Sequence, residues 1–370
     1  MPIRVLLPDG TALGAGGPAD PVMRIHRPEA FFARIGASGL IGFGESYQAG
    51  EWDSEDLVRL LTVFATRVGT LVPAPLQRLR PIFVRRRARA ENATSRAARE
   101  NIAAHYDLSN ELFALFLDPS MTYSAALFDE GADDLERAQH RKIDRLLDAT
   151  GVGPGTRVLE IGTGWGELAI RAAARGAQVR TITLSERQLE YTRARAERES
   201  LDGKVQVELL DYREARGTYD AVLSVEMIEA VGADHWPVYF QALADLLAPG
   251  GRIGLQAITM PHDRMRASAR TETWITKHIF PGGMIPSMTA IQENAARSGL
   301  SVADDLAFGP DYARTLDRWT RDLAANAGEL AALGFDEAFQ RTWRLYLAYS
   351  EAGFASGYLD VHQLVLVPAA

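Results

Sequence analysis

From about residue 150 the chain alternates short apolar runs with amphipathic ones, and the first turn between them carries three glycines, in VLEIGTGWGELA. That alternation constrains the fold most. Runs that are apolar throughout suit strands buried on both faces, and the helices between them are the crossovers of a parallel sheet. Arg157–Ile161 reads as the first strand, followed by helical spacing over Trp165–Arg175. Gln178–Leu184 is the second strand and Glu186–Glu199 a charged amphipathic helix. Val205–Leu210 and Tyr219–Val225 give the third and fourth strands. A helix over Pro237–Leu247 is expected to stop at Pro249-Gly250-Gly251, before a fifth strand at Arg252–Thr259. Residues 260–320 look less regular and aromatic-rich, and the chain closes with a helix over Phe339–Ala352 and a strand over Val361–Val367. The expected class is α/β, a doubly wound Rossmann-like sheet with a smaller N-terminal α+β domain.

Upstream, Trp52-Asp53-Ser54-Glu55-Asp56 leads into the apolar run Leu57–Phe64, with Asp53 or Ser54 as the expected N-cap. Between Arg78 and Arg99 eight arginines face only Glu91 and Glu100. Such a run is either a solvated helix or linker, or a docking surface for anionic head groups, where each arginine contributes about 1 kcal/mol. The whole chain carries a net charge of -8, so no global pull toward nucleic acid or anionic membrane follows, and no nucleic-acid motif accompanies the arginines. With no cysteine, disulfides, thiolate metal sites and a cysteine nucleophile are excluded. No secretory h-region and no apolar run of about 18 residues is present, which predicts a cytoplasmic protein that meets membranes only from the side.

Gly162, Gly164 and Gly166 sit between the first strand and its helix, where glycine permits a tight turn and close backbone approach to a ligand. A dinucleotide fingerprint reads G-x-G-x-x-G and rests its pyrophosphate on the helix N-terminus. Here the spacing is G-x-G-x-G and the next residue is Glu167, a poor neighbour for a pyrophosphate. A structural strand-to-helix turn is the plain alternative. Glu160 before the loop and Asp211-Tyr212 after the third strand tip the reading toward S-adenosylmethionine. Methyltransferases place an acid near the first position for the methionine ammonium, and a polar and aromatic pair near the second for adenine.

The segment HYDLSNELFALFLDPSMTYSAALF (residues 105–128) resembles the signature of cyclopropane-fatty-acyl-phospholipid synthases and mycolic acid cyclopropane synthases. LERAQHRKIDRLL, VLEIGTGWG, TLSERQ, LLDYRE, VEMIEAVG, IFPGGMIPS and GPDYARTLDRW continue it in order, and GFGESYQAGEW (residues 42–52) resembles the N-terminal domain of the phospholipid-acting branch. The resemblance implies a class I methyltransferase sheet. It also implies transfer of a methyl group from S-adenosylmethionine to the cis double bond of an unsaturated acyl chain, in a phospholipid. By position it assigns Tyr123 and Ser124 to the methionine end of the cofactor and Gly162 and Gly164 to the cofactor loop. Ser185 and Gln188 go to the ribose, Asp211 and Tyr212 to adenine, and Glu229 and Tyr312 to the active site. It implies a bicarbonate as base, held by Ala125, Glu229, Gln256, Ile258 and Tyr312, and a homodimer as the default assembly. Two positions depart from the family: Ala125 stands where it has cysteine, and Gln256 where it has histidine. The amide can donate a hydrogen bond but cannot be protonated like histidine. Direct proton removal by Glu229 or another group is the alternative to bicarbonate.

An isolated alkene is a feeble nucleophile, so the chemistry asks for alignment with the sulfonium methyl in a dry pocket. The carbocation that follows is stabilised by aromatic faces, each contributing about 0.5–2 kcal/mol. Tyr106, Tyr123, Trp274, Phe280 and Tyr312 are candidates, though each also reads as ordinary core. Loss of a proton from the new methyl closes a cyclopropane, and a hydride shift first gives a methylene branch. QAITMPHDR (residues 256–264) resembles the actinobacterial relatives that make methyl-branched chains. His105, His235, His262 and His278 show no metal spacing, so no metal is expected. The expected organisation is a lipid- and membrane-engaging domain over 1–90, a helical cap over 91–130, and a methyltransferase domain over 131–370. Residues 260–320 would supply much of the acyl pocket. Peripheral attachment to the inner face of the membrane would run through Arg78–Arg99. The rivals are a C-methyltransferase acting on an olefinic small molecule and a non-catalytic S-adenosylmethionine binder. Glu229 and Tyr312 argue against the binder.

Overall fold

The structure is a computed structural model that describes residues 1–67, 109–131, 133–269 and 271–369. The arginine-rich segment, His105 and Tyr106 lie outside the described residues. Two compact units emerge, and neither is continuous in sequence. Among the described residues the first gathers 1–67, 271–279 and 313–359, and the second 109–131, 133–269, 280–312 and 360–369. The expected succession of consecutive domains does not anticipate that grouping.

In the first unit, strands β1 (Arg4–Leu6), β2 (Ala12–Leu13), β3 (Val22–Ile25) and β4 (Trp52–Asp53) form a sheet in the order β2-β1-β3-β4. Its core is aromatic: Trp52 is fully buried, stacked on Phe43 at 4.6 Å and packed against Tyr47. Arg341, from the Glu337–Ala355 helix, lies 4.3 Å above the Tyr47 ring and donates to Trp52 O at 2.9 Å and to Asp53 at 3.1 Å. That contact assigns a C-terminal helix to the N-terminal sheet. Asp56, not Asp53 or Ser54, caps the Leu57–Ala65 helix by accepting from the Arg59 N–H at 3.0 Å. Asp53 is already committed to β4 and Arg341, and the cap falls to Asp56.

The second unit is built on a seven-stranded sheet. Strands β5 (Arg157–Ile161), β6 (Gln178–Thr183), β7 (Val205–Leu209), β8 (Tyr219–Val225), β9 (Leu247–Thr259), β10 (Leu300–Ala307) and β11 (Asp360–Pro368) lie in the order β10-β11-β9-β8-β5-β6-β7. β5 to β9 are parallel, and β11 runs antiparallel to both β9 and β10. Successive residues feed opposite cores. Leu159, Val222 and Ile253 join one apolar cluster, while Val158, Ala221 and Leu223 join the other. This is the doubly wound class I methyltransferase sheet, and the strand order reverses between β5 and β8, where such sheets open a crevice.

Two expectations need correcting. Pro249-Gly250-Gly251 is not a stop between helix and strand but a bulged part of β9, with the register shifting opposite Tyr219 and Ala221 and Gly250 at φ 78°. The helix ends earlier, at Asp245. Residues 260–320 are also more regular than expected. They contain helices at His262–Ser268, Trp274–His278 and Met288–Arg297, strand β10, and the start of the Gly309–Ala325 helix. β10 lacks an apolar pattern because it is an edge strand with Asp304 and Asp305 exposed, a common guard against edge pairing. No helix among the described residues is long and apolar enough to cross a membrane.

Candidate active site

The glycine loop borders a cavity of about 140 Å³ at the crevice of the second unit. Gly162 and Gly164 have φ of 97° and 54°, in the left-handed region that favours glycine. A Cβ on Gly162 would fall 2.8 Å from Met227 Cγ, so this position also needs the missing side chain. The Gly162 and Thr163 amides both donate to Ile182 O, tying the loop to the end of β6. Glu167 is buried at the cavity wall and paired with Arg195 and, at 3.0 Å, with His140. A carboxylate at that place opposes a phosphate ligand, as its position in the sequence implied.

Tyr123, Ser124, Glu160, Gly162, Gly164, Gln188 and Tyr212 all line this cavity. Glu160 is buried and accepts one hydroxyl, from Thr181 at 2.6 Å. Burial pushes its pKa up to about 8, with Lys142 acting in the opposite direction. A desolvated carboxylate with so little solvation fits an incoming cation such as the methionine ammonium of S-adenosylmethionine. Gln188 is oriented by Thr183, which donates to its Oε1 at 2.7 Å. Ser185 and Asp211 are buried but not among the lining residues. Ser185 caps the Glu186–Arg198 helix, and Asp211 receives both a side-chain nitrogen pair and the backbone N–H of Arg213. Tyr123 belongs to an aromatic wall with Phe113 at 5.2 Å, itself 4.7 Å from Trp165. Trp274 instead packs in the first unit, where its Nε1 donates to Gln48 at 3.1 Å, and Phe280 does not line the cavity.

Glu226, which the sequence reading does not single out, also lines the cavity. Its Oε1 accepts from the Ala125 N–H at 2.9 Å and from the Gln256 amide at 2.8 Å. Its Oε2 accepts from the Tyr312 hydroxyl at 2.6 Å. Burial raises its pKa, and these donors together with Lys142 work against the rise. Lys142 is 1 % exposed, lines the same cavity and donates to Ser124 Oγ at 2.6 Å. Burial lowers its pKa to about 8, with Glu226 the leading counterweight. Glu229 shares none of these donors. It accepts from the Ile258 N–H, its second oxygen is buried with no hydrogen-bond partner, and burial pushes its pKa up to about 8, with the charge of nearby Glu226 adding to the rise. Tyr312, Gln256 and Ala125 are thus brought together as expected, but around Glu226 and not around Glu229.

Bicarbonate does not fit this arrangement. Ala125, Gln256 and Tyr312, three of the groups expected to hold the anion, already point at the Glu226 carboxylate, and the Ile258 N–H is taken by Glu229. An added anion would meet a carboxylate where those donors converge.

Residues 93–364 match the mycolic acid cyclopropane synthetase family. The chain belongs to that family. It is 53% identical, over 99% of its own length and 88% of the relative's, to the tuberculostearic acid methyltransferase UfaA1 of Mycobacterium tuberculosis. It is 32% identical to the cyclopropane-fatty-acyl-phospholipid synthase of Escherichia coli K12, over 96% of this chain and 90% of the other. Among solved structures, that of the mycolic acid cyclopropane synthase CmaA1 with SAH and CTAB superposes with a TM-score of 0.68 at 32% identity. It covers 72% of this chain and 97% of CmaA1. This member of the family is therefore an S-adenosylmethionine-dependent methyltransferase. Its sequence signal for Glu226 was weak: VEMIEAVG holds two glutamates three residues apart, and resemblance alone selected the second. Lys142 is hidden in a helix of otherwise solvated charges, where only burial distinguishes it.

Proposed function

We propose that the protein transfers the methyl group of S-adenosylmethionine to the cis double bond of an unsaturated fatty acyl chain carried by a phospholipid. The observation that carries this reading is a cavity lined by the glycine loop, by a cation-ready carboxylate, Glu160, and by a donor-ringed carboxylate, Glu226. A protein that only binds the cofactor has no use for the second group. In this reading Glu160, Tyr123 and Ser124 hold the methionine end, Gly162 and Gly164 the loop side, Gln188 the ribose and Tyr212 the adenine. Ser185 and Asp211 act one step back, by holding Gln188 and the Tyr212 turn.

The π pair attacks the sulfonium methyl, the S–CH₃ bond leaves its electrons on sulfur, and the adjacent carbon becomes cationic. Aromatic faces such as Tyr123 lower the cost of that charge by about 0.5–2 kcal/mol. We favour a methylene-branched product over a cyclopropane. In support, the relative that aligns with 99% of the chain is named for tuberculostearic acid, and QAITMPHDR resembles the branching enzymes. The bicarbonate that the resemblance brings with it is not part of this reading, because its donors face Glu226. Residues 1–90 would engage lipid and 91–130 cap the cofactor. The arginines from Arg78 to Arg99 would dock the protein on the anionic inner face of the membrane, as a homodimer.

Incubation with S-adenosylmethionine and liposomes of cis-unsaturated phospholipid is expected to add one methylene unit to acyl mass. No gain, with cofactor still bound, contradicts the reading and points to a small-molecule acceptor. Upfield cyclopropyl protons in the product spectrum would overturn the branching preference. Binding to anionic vesicles that does not weaken with salt would overturn the arginine docking.

A further inference from the structure

We propose that Glu226 is the proton acceptor of the reaction, its carboxylate standing where the family would place an external anion, so that turnover needs no bicarbonate. The inference rests on the alkene-methylation reading above. Three independent features lead to Glu226. First, Glu226 lines the same cavity as the glycine loop and Tyr123, whereas Glu229 is not among the lining residues. Second, the neighbours that touch it donate: a backbone N–H, a side-chain amide N–H and a phenol, with an ammonium nearby. These donors favour the acceptor-only carboxylate form, the one that takes a proton, against the burial that opposes it. Third, its backbone sits at φ 50°, a conformation that costs a non-glycine residue of order 1–3 kcal/mol. Keeping a long acidic side chain at a place that favours glycine needs a compensating role, and the donor ring supplies one.

The Gln256 amide is fixed to suit. Arg145 donates to Gln363 Oε1 at 2.9 Å, so the Gln363 nitrogen faces Gln256 Oε1 at 3.0 Å, which leaves the Gln256 nitrogen facing Glu226. Histidine at that position could present either a donor or an acceptor. The glutamine in this relay presents only a donor, as a resident carboxylate requires.

The step balances without any further reactant. Methyl transfer leaves a carbocation and neutral S-adenosylhomocysteine. A hydride shifts with its electron pair to the cationic carbon, moving the charge to the carbon that bears the new methyl. Glu226 then takes a proton from that methyl, and the C–H pair becomes the C=CH₂ double bond of the methylene branch. The carboxylic acid so formed returns its proton to water before the next turnover.

The wild type is expected to turn over at the same rate in carbon dioxide-depleted buffer and with added bicarbonate. Glu226→Gln keeps shape and volume, and should lower kcat by about 10²–10⁴-fold, the usual contribution of a positioned base. Its affinity for S-adenosylhomocysteine, which also reports folding, should persist. Glu226→Gly vacates the carboxylate position and relieves the backbone, so bicarbonate should restore its turnover. Carbon-13 NMR of labelled bicarbonate should show binding to Glu226→Gly and none to the wild type. A wild type that depends on or binds bicarbonate overturns the proposal. So does a Glu226→Gln enzyme with undiminished kcat, or a Glu226→Gly protein that binds S-adenosylhomocysteine but no bicarbonate. Failure of the acyl reading looks different: the wild type would then release no S-adenosylhomocysteine on unsaturated lipid, and the bicarbonate-binding arms would still decide the anion site.

Discussion

Gln256, Gln363 and Arg145 form a line of hydrogen bonds anchored by the Arg145–Asp304 pair at 2.8 Å, and they end on Glu226. A buried amide can present either end to a neighbour, and a neighbour fixed in turn by a guanidinium decides which. Replacing Gln363 by Leu removes that decision. The Gln256 nitrogen is then no longer held toward Glu226, which loses a donor to its charged form. Losing such a donor raises the carboxylate pKa, so the acid limb of the kcat–pH profile should move to higher pH. We expect about a tenfold fall in kcat below that limb, consistent with the loss of one charge-assisted hydrogen bond of ~1.5 kcal/mol. S-adenosylmethionine affinity should hardly change. A merely structural Gln363 would lower stability and leave the limb where it is. Of this line the sequence singles out Gln256 alone, since Arg145 lies on the Leu135–Ala149 helix and positions 256, 304 and 363 on β9, β10 and β11, and they meet only in the fold.

The glycine loop is an element whose form was written in its residues. Its strand, its turn and the start of its helix follow from an apolar run ending in three glycines, and the sequence reading places β5 at its observed bounds. Gly162→Ala combines a φ of 97° with a Cβ only 2.8 Å from Met227 Cγ, and should cost about 1–3 kcal/mol of loop geometry. Gly164→Ala has the φ penalty alone, because nothing lies within 4 Å of the added carbon. Titration calorimetry with S-adenosylhomocysteine should therefore rank affinity as wild type, then Gly164→Ala, then Gly162→Ala. The reverse order of the two variants would refute this account of the loop. β9 and β10 were less legible. A proline and two glycines ordinarily end a run, and here the parallel ladder with β8 absorbs them as a bulge. In β10, acidic residues break the apolar pattern because its outer edge faces water.

At the scale of the whole molecule, stability carries the mark of the buried carboxylates. Glu229 has its folded pKa raised to about 8 from 4.5. Between those values the native state holds a proton that the unfolded chain has released, so its contribution is complete below pH 4.5 and is lost as pH rises to about 8. Glu229→Gln, neutral at every pH, should remove that loss. The variant should melt higher than the wild type near pH 8, by about 1–2 °C for each kcal/mol recovered, with the gap closing toward pH 4.5. A gap that stays constant across this range would show that Glu229 does not titrate with folding. The same variant tests the family assignment of Glu229, because undiminished turnover would place that carboxylate outside the reaction.

By itself the sequence determined the alternation of strands and helices, the glycine loop and the cofactor class. Each depends on residues close together in the chain, where periodicity and backbone freedom act. It also placed Tyr312, Gln256 and Ala125 near one chemical event, through motifs that keep their order along the chain. Only the tertiary structure decided which carboxylate those three groups serve. Glu226 and Glu229 are three residues apart and alike in type, and what separates them is a backbone turn at φ 50° and the donors gathered around one of them. A hydrogen-bond ring assembled from a loop at 125, strand β9 at 256 and a helix at 312 is a property of the tertiary fold, and no stretch of local sequence contains it.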